Sequence, residues 1–213
     1  MYRTVLRILL GCGLLAGAAF GQRGELGILG GAGFSPGFTL QGRAATAGAG
    51  FRNGGVVGAY LGDNTYQYWS GEIRYLYRMS NMRLSAGGVD TEFGAHTQIV
   101  HMDVLAHFQP RDARVRVFVA FGGGVKVIRG TGMETSAQPL SQFAALTKTR
   151  QVLPTGDAGF GVKVNLRRHL RARFEVRDYI SPQPDKMIAA APGVSLGGVL
   201  HDILALAALS YTW

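Results

Sequence analysis

The hydrophobic positions of this chain recur mainly at every second residue, which is the spacing of a β-strand with one apolar and one polar face. In 169–179, HLRARFEVRDY, apolar residues alternate with Arg171, Arg173, Glu175 and Arg177. A helix would spread these charges around its axis, whereas a strand places them on one side. The same alternation occurs at 25–34, 53–62, 70–79, 95–108, 114–128, 156–165 and 201–213. The pattern predicts an all-β protein with eight strands.

The predicted connections alternate between short and long. The short ones are 63–69, 109–113 and 166–168. The long ones are 35–52, 80–94, 129–155 and 180–200. Short turns at one end and long loops at the other are typical of up-and-down membrane barrels. A soluble secreted barrel, with the apolar face inside, fits the same eight strands and is the alternative.

Small residues and aromatic residues favour the membrane form. Gly122, Gly124, Gly159 and Gly161 lie on the charged faces, where they would make room for arginine and lysine side chains in a narrow lumen. Aromatic side chains gather near predicted strand ends, where membrane barrels carry interfacial girdles. These aromatic residues are Tyr66, Tyr68, Trp69, Tyr211 and Trp213. The apolar faces are therefore predicted to contact lipid.

The last predicted strand is irregular. Leu209, Tyr211 and Trp213 fall on the lipid side, but Leu204 and Leu206 fall on the inward side. A β-bulge would restore the phase of the strand. A buried helix over 203–209, ILALAAL, is the other interpretation of this segment.

The chain end resembles the signal by which outer-membrane barrels are passed to their assembly machinery. Its predicted residues are Leu209, Tyr211 and Trp213. Residues 22–213 as a whole resemble a bacterial outer-membrane β-barrel protein of the small, OmpA-like eight-stranded type. The resemblance implies an eight-stranded antiparallel up-and-down transmembrane β-barrel, with outer-membrane lipid and the barrel assembly machinery as partners. We expect a monomer.

The first 21 residues are predicted to be a cleaved signal peptide. Arg3 and Arg7 precede the apolar stretch 8–20, and small residues precede the predicted cut before Gln22. A buried N-terminal helix is the alternative. The only cysteine of the chain lies within this segment, so the remaining residues can form no disulfide. The net charge of +9 does not indicate nucleic acid as a partner, because the protein is exported and its charges are dispersed.

The charged faces are predicted to form an ion-pair network in the lumen, because buried charges must be paired. The network comprises Glu72, Arg74, Arg78, Asp103, Arg114, Arg116, Lys126, Asp157, Lys163, Arg171, Arg173, Glu175 and Arg177. With Asp202 included, nine cations face five carboxylates. Glu72 and Glu175 have arginines two residues away on the same face and are the predicted centres.

The predicted function is a structural or surface-interaction role, with a polar interior and long extracellular loops. A narrow, anion-leaning pore is one alternative. A lipopolysaccharide-modifying barrel enzyme is another, for which His201 and Asp202 lie near the outer rim and Ser195 and Ser210 are the nearest serines.

No catalytic, cofactor-binding or metal-binding residue is predicted, and the chain is not expected to be an enzyme. His101, Asp103 and His107 share a face, but strand spacing puts the first two about 7 Å apart and His107 about 13 Å further. One ion cannot span that distance. A local hydrogen bond between His101 and Asp103 is predicted instead.

Overall fold

A computed structural model describes residues 23–42, 45–134 and 138–213, and its regular elements are all β-strands. They are β1 (Gly24–Phe34), β2 (Phe38–Gln41), β3 (Thr46–Phe51), β4 (Gly54–Asp63), β5 (Trp69–Met79), β6 (Met82–Ala86), β7 (Val89–Phe93), β8 (Ala95–His107), β9 (Val115–Gly130), β10 (Ala144–Leu146), β11 (Arg150–Arg167), β12 (Leu170–Ser181), β13 (Ile188–Ala190), β14 (Ser195–Leu196) and β15 (Leu200–Thr212). Within these ranges no helix is long and apolar enough to cross a membrane. The predicted signal peptide, residues 1–21, lies outside the described residues.

Eight of the strands close into an antiparallel barrel in the order β1-β4-β5-β8-β9-β11-β12-β15. Each pairs with the next in chain order, and β15 pairs with β1 from Glu25↔Thr212 to Phe34↔Ile203. This confirms the predicted eight-stranded up-and-down barrel, and closure removes both sheet edges. The short connections lie at one end of the barrel, together with the start of β1 and the end of β15. This end is here called the turn end. The long connections lie at the other, the loop end.

The largest difference from the predicted strand boundaries is at β11. The sequence predicts a strand from residue 156, but pairing with β9 begins at Arg150, opposite Arg129. Pro154 concealed this extension, because proline has no N–H for a sheet ladder and argues against a strand interior. In the structure it lies opposite Val125.

The apolar faces of the barrel point outward and the charged faces point inward. Ile28, Met102 and Phe160 are 69%, 67% and 62% exposed, whereas Arg173 and Arg177 are 0% exposed. A soluble barrel would have the opposite arrangement, so this orientation excludes the soluble alternative. The outward faces form an apolar belt that suits contact with lipid.

Glycines on the inward face make room for polar side chains, as predicted. A Cβ atom at Gly159 would lie 2.6 Å from Cγ of Arg177, and one at Gly122 would overlap Oδ1 of Asp103. A larger residue at either position would push a charged neighbour out of place.

The last strand contains neither the predicted bulge nor the alternative helix. β15 is continuous and keeps its register against β1 and β12. Leu204 and Leu206 point into the barrel and are 0% and 4% exposed. They fit there because one part of the lumen is apolar, a feature that the charged strands did not suggest. Its other apolar residues are Leu29, Val56, Leu76 and Ile99.

The long connections are folded into a cap rather than irregular loops. Five short strands form a sheet in the order β14-β2-β3-β6-β7, and β10 pairs with β13. The cap has an apolar core of its own that includes Leu40, Met82, Leu84 and Ile188, all 0% exposed. Ile128 of β9 belongs to the same core, so the cap packs directly on the loop end of the barrel.

We expect Leu84→Ala to loosen the cap while leaving the barrel folded. Truncating a buried leucine costs about 2–5 kcal/mol, and here that loss falls on the cap core. Cleavage of the loops by added protease should therefore accelerate, while the heat-dependent gel shift of the barrel stays unchanged. Arg83→Ala is the matched control, because Arg83 is next to Leu84 in the chain but is exposed and pairs with Asp90 across 2.7 Å at the surface. Equal cleavage of both variants would contradict a packed cap.

Candidate functional site

The candidate site is the barrel interior, because inward charges from seven strands meet there. At mid-height lies the central network, which is defined here as Glu72, Arg74, Asp103, Asp157, Arg173, Glu175 and Arg177. These side chains come from β5, β8, β11 and β12, and all of them are at most 7% exposed.

Two glutamates and three arginines form the heart of the central network. Glu72 contacts Arg74 at 2.5 Å, Arg173 at 2.6 Å and Arg177 at 2.9 Å. Glu175 contacts Arg173 at 2.7 Å and Arg177 at 3.0 Å, and it also pairs with Arg74. Every arginine therefore bridges both glutamates. Guanidinium forks suit this arrangement because they offer five donors in a fixed plane.

Aromatic rings hold the network from two sides. The guanidinium of Arg173 lies 5.1 Å from the ring centroid of Tyr60 and 4.6 Å from that of Phe118. Arg74 lies 5.5 Å from the ring of Tyr60. These cation–π contacts add attraction in a site from which water is largely excluded.

Arg177 also joins the glutamates to a pair of aspartates. Its Nη1 donates to Asp103 at 2.6 Å and to Asp157 at 2.8 Å. Nδ1 of His101 donates to Asp103 at 2.7 Å, which confirms the predicted local hydrogen bond, and Nε2 lies 3.0 Å from the hydroxyl of Tyr179.

His101, Asp103 and Asp157 each bring a ligand atom within 4.8 Å of the other two, a geometry that a metal ion can use. In this chain the guanidinium of Arg177 already bridges both carboxylates, so it supplies the positive charge that an ion would bring. His107 lies apart from this group, because its Nε2 is 2.9 Å from Oγ of Ser70.

A second cluster surrounds Glu25 near the turn end, and the sequence prediction missed it. The carboxylate pairs with Lys163 at 3.0 Å and Arg171 at 3.3 Å. It also accepts hydrogen bonds from Tyr60, Asn64 and Ser210. The sequence did contain a signal for it. Successive side chains of a strand point to opposite faces, so if Leu26 and Ile28 face outward, Glu25 must face inward.

A third cluster lies near the loop end around Asp202. Nζ of Lys126 lies 2.8 Å from its carboxylate and 3.0 Å from Oγ of Ser181. Arg78 and Ser35 also bond to Asp202. This cluster lies beneath the cap, and on β5 the apolar Leu76 separates its Arg78 from Arg74 of the central network.

Arg114 is a correction to the predicted network. It is exposed in the bend before β9, and pairing of that strand begins one residue later, at Val115. The alternation of apolar and charged residues, from which Arg114 was predicted to face inward, begins one residue before the strand does. Arg116 does lie inside, where it donates to the backbone oxygens of Gln67 and Gln109.

The buried charges nearly balance. Among the described residues, seven arginines and lysines and six carboxylates of the barrel interior are buried. The excess is therefore one positive charge rather than the predicted four. The excess is smaller because Arg114 is exposed and Arg171 is only half-buried, so neither counts among the buried cations. Glu25 adds one buried carboxylate that was not predicted.

The predicted assembly residues lie at the turn end of the closing seam. Leu209 and Tyr211 face outward and are 46% and 54% exposed. Trp213 follows β15, its backbone N–H donates to the oxygen of Gly24 at 3.1 Å, and its ring covers Gly24. The aromatic terminus thus overlaps the first strand of the barrel.

The residues considered for enzyme chemistry do not come together. Nδ1 of His201 donates to Asp178 at 2.7 Å on the outer wall, while Asp202 points inward. Ser210 is buried beside Glu25, and Ser195 lies in the cap.

Comparison with known proteins identifies the fold. No protein-family model and no curated protein sequence matches the chain. Neisserial surface protein A superimposes with a TM-score of 0.56 at 6% identity, covering 90% of this chain and 97% of that structure. The chain has the fold of an outer-membrane β-barrel. Outer membrane protein AlkL, determined in lipid bilayers, superimposes on this barrel with a TM-score of 0.51 at 14% identity, covering 91% and 92%. At such identities the likeness is one of fold.

Proposed function

We propose that this chain is a closed barrel of the bacterial outer membrane, with a structural or surface-interaction role and without enzymatic activity. It would be exported by the cleaved segment 1–21, inserted by the barrel assembly machinery and surrounded by outer-membrane lipid as a monomer. The loop end, with its cap, would face the cell surface. The fold and the apolar belt support this location.

The burial of the interior charges carries the proposal that the barrel is closed. Arg74, Arg78 and Arg116 are each 1% exposed, and Lys126 is 0% exposed. A lumen that passes ions would leave such side chains in contact with water. The apolar core of the cap supports closure at the loop end.

The cap is the part that a partner outside the cell would meet. It carries two ion pairs at its surface, Arg83 with Asp90 and Arg52 with Glu92. Loops held on a rigid scaffold are a common location for binding. A role in surface interaction therefore belongs to the cap, and mechanical support of the membrane belongs to the barrel.

Conductance in planar bilayers tests this proposal directly. We expect the purified, refolded protein to show little or no steady current, because charged and aromatic side chains fill its lumen. An open porin reconstituted in the same way is the positive control. A large and stable current would support the narrow pore instead. Shortened lipid products after incubation with lipopolysaccharide would support the enzyme.

A further inference from the structure

A row of basic side chains crosses the outer wall of the barrel at the loop end. His96 of β8 lies opposite Arg129 of β9, which in turn lies opposite Arg150 of β11. All three belong to the outward-facing set of their strands, and both arginines are exposed. Side chains directly opposite one another in a sheet are about 4.5–5.5 Å apart at Cβ, so the charges of the two arginines are close neighbours.

No carboxylate neutralises this row. All 13 acidic residues of the chain fall within the described ranges, and none lies within ion-pair distance of Arg129 or Arg150 there. Glu134 reaches the adjoining segment, but its carboxylate accepts the backbone N–H of Lys148. Like charges placed opposite one another destabilise a sheet. An anion from outside the chain would remove that repulsion.

The row lies where the apolar belt ends. Val127 and Val152 are the next outward residues below the two arginines, and Val152 is 56% exposed. At about 3.3 Å per residue and a tilt of about 40°, Val127 is about 30 Å and Arg129 about 35 Å above Val115 at the turn end, and the hydrocarbon core of a bilayer is about 30 Å thick. Arg129 therefore lies at the level of lipid headgroups. His96 stacks on Tyr77 with ring centroids 5.4 Å apart, an aromatic contact suited to that interface.

We propose that His96, Arg129 and Arg150 form a binding site for the phosphate groups of a phosphorylated glycolipid in the outer leaflet, whose acyl chains lie along Val127 and Val152. Arginine suits this ligand because its planar fork binds phosphate oxygens in pairs. The valines below would bury part of the acyl chains, which a free phosphate ion lacks. The site rests on the proposed orientation of the barrel, with its loop end at the cell surface.

Lipid retention by the purified barrel tests the site. The protein is incubated in detergent with phosphorylated lipid A, separated from free micelles, and assayed for bound lipid phosphate. We expect Arg129→Gln/Arg150→Gln to bind at least about tenfold more weakly than the unmodified chain, because two charge-assisted contacts are lost. Arg167→Gln/Arg168→Gln is the matched control: it removes the same charge from exposed positions at the turn end and should bind normally.

Two further arms separate phosphate chemistry from lipid chemistry. Dephosphorylated lipid A should bind much more weakly, and excess inorganic phosphate should not displace the phosphorylated lipid. Equal retention by both double variants would overturn the proposal, as would tight binding of the dephosphorylated lipid or full displacement by inorganic phosphate. A heat-dependent gel shift confirms that each variant is folded. A failure of lipid binding in detergent would refute this site alone. A large current in planar bilayers would instead refute the proposed closed barrel.

Discussion

Glu72→Ala should destabilise the barrel by about 3–5 kcal/mol, the usual effect of breaking a buried ion pair by removing one partner. Glu72 accepts from three arginines at 2.5–2.9 Å, and all three guanidiniums are nearly inaccessible to water. Without it, Arg74 and Arg173 keep only Glu175 as a partner, and Arg177 keeps Glu175 and the two aspartates. Urea unfolding of the refolded protein, extrapolated to zero denaturant, measures the change.

An exposed ion pair of the same chemistry is the control. Glu92 pairs with Arg52 on the cap, where the two side chains are 35% and 54% exposed. Exposed pairs contribute about 0–1 kcal/mol, so Glu92→Ala should have little effect on stability. Glu72→Gln provides a milder change if the alanine variant does not refold. Similar losses for Glu72→Ala and Glu92→Ala would show that the central network does not stabilise the barrel.

Glu72→Ala should also change the conductance of the barrel. Loss of Glu72 raises the interior excess from one positive charge to two and leaves the arginines freer to move. Folded Glu72→Ala protein should therefore show a small current that favours anions, where the unmodified protein shows almost none. An absence of current together with unchanged stability would contradict the lumen network as a whole.

The two-residue spacing of the apolar positions was sufficient to predict the barrel and to predict, for most charged side chains, whether they face its interior. In an antiparallel sheet the period of two fixes which face each residue occupies, so Arg173 and Glu175 could be assigned to the interior from 169–179 alone. The aromatic chain end and the alternation of short and long connections then identified the membrane form. These features are local, and a single sequence shows them directly.

The partners within the network could not be predicted, because they depend on how strands face one another across the lumen. Arg173 on β12 meets Glu72 on β5, although the two strands are not neighbours in the barrel. Glu25 was missed because β1 is rich in glycine and has few apolar residues to define its phase. Arg114 was misplaced because alternation does not show where pairing begins.

The cap was concealed for a related reason. Its strands are two to six residues long, and β3, TAGAGF, reads as a flexible loop because glycine and alanine fill most of it. Short strands carry too few alternations to be recognised. Their burial comes from packing against one another and against the loop end of the barrel, and a single sequence does not contain that information.

Deletion of 211–213 should block assembly in cells far more than it weakens the folded barrel. The deleted residues include the last pairs of the closing seam, Tyr211 with Leu26 and Thr212 with Glu25. Each cross-strand pair contributes about 0.2–1 kcal/mol, so the truncated protein should still refold in detergent with a modest loss of stability. In cells we expect it to collect in the periplasm and be degraded, because the terminal aromatic signal is gone.

Substitutions separate the role of the signal from that of the backbone. Tyr211→Ala/Trp213→Ala keeps every backbone hydrogen bond of β15 but removes both aromatic rings, and it should reduce the amount in the outer membrane nearly as much as the deletion. Thr212→Ala, at the position between them, is the matched control and should assemble normally. Fractionation of the envelope measures the amount assembled, and the heat-dependent gel shift measures folding. If the double variant reaches the outer membrane at the normal level while the deletion does not, the seam itself is what assembly requires. If the deletion also assembles normally, the chain end is not the signal, and its aromatic residues serve only to cover Gly24 and anchor the turn end at the membrane surface.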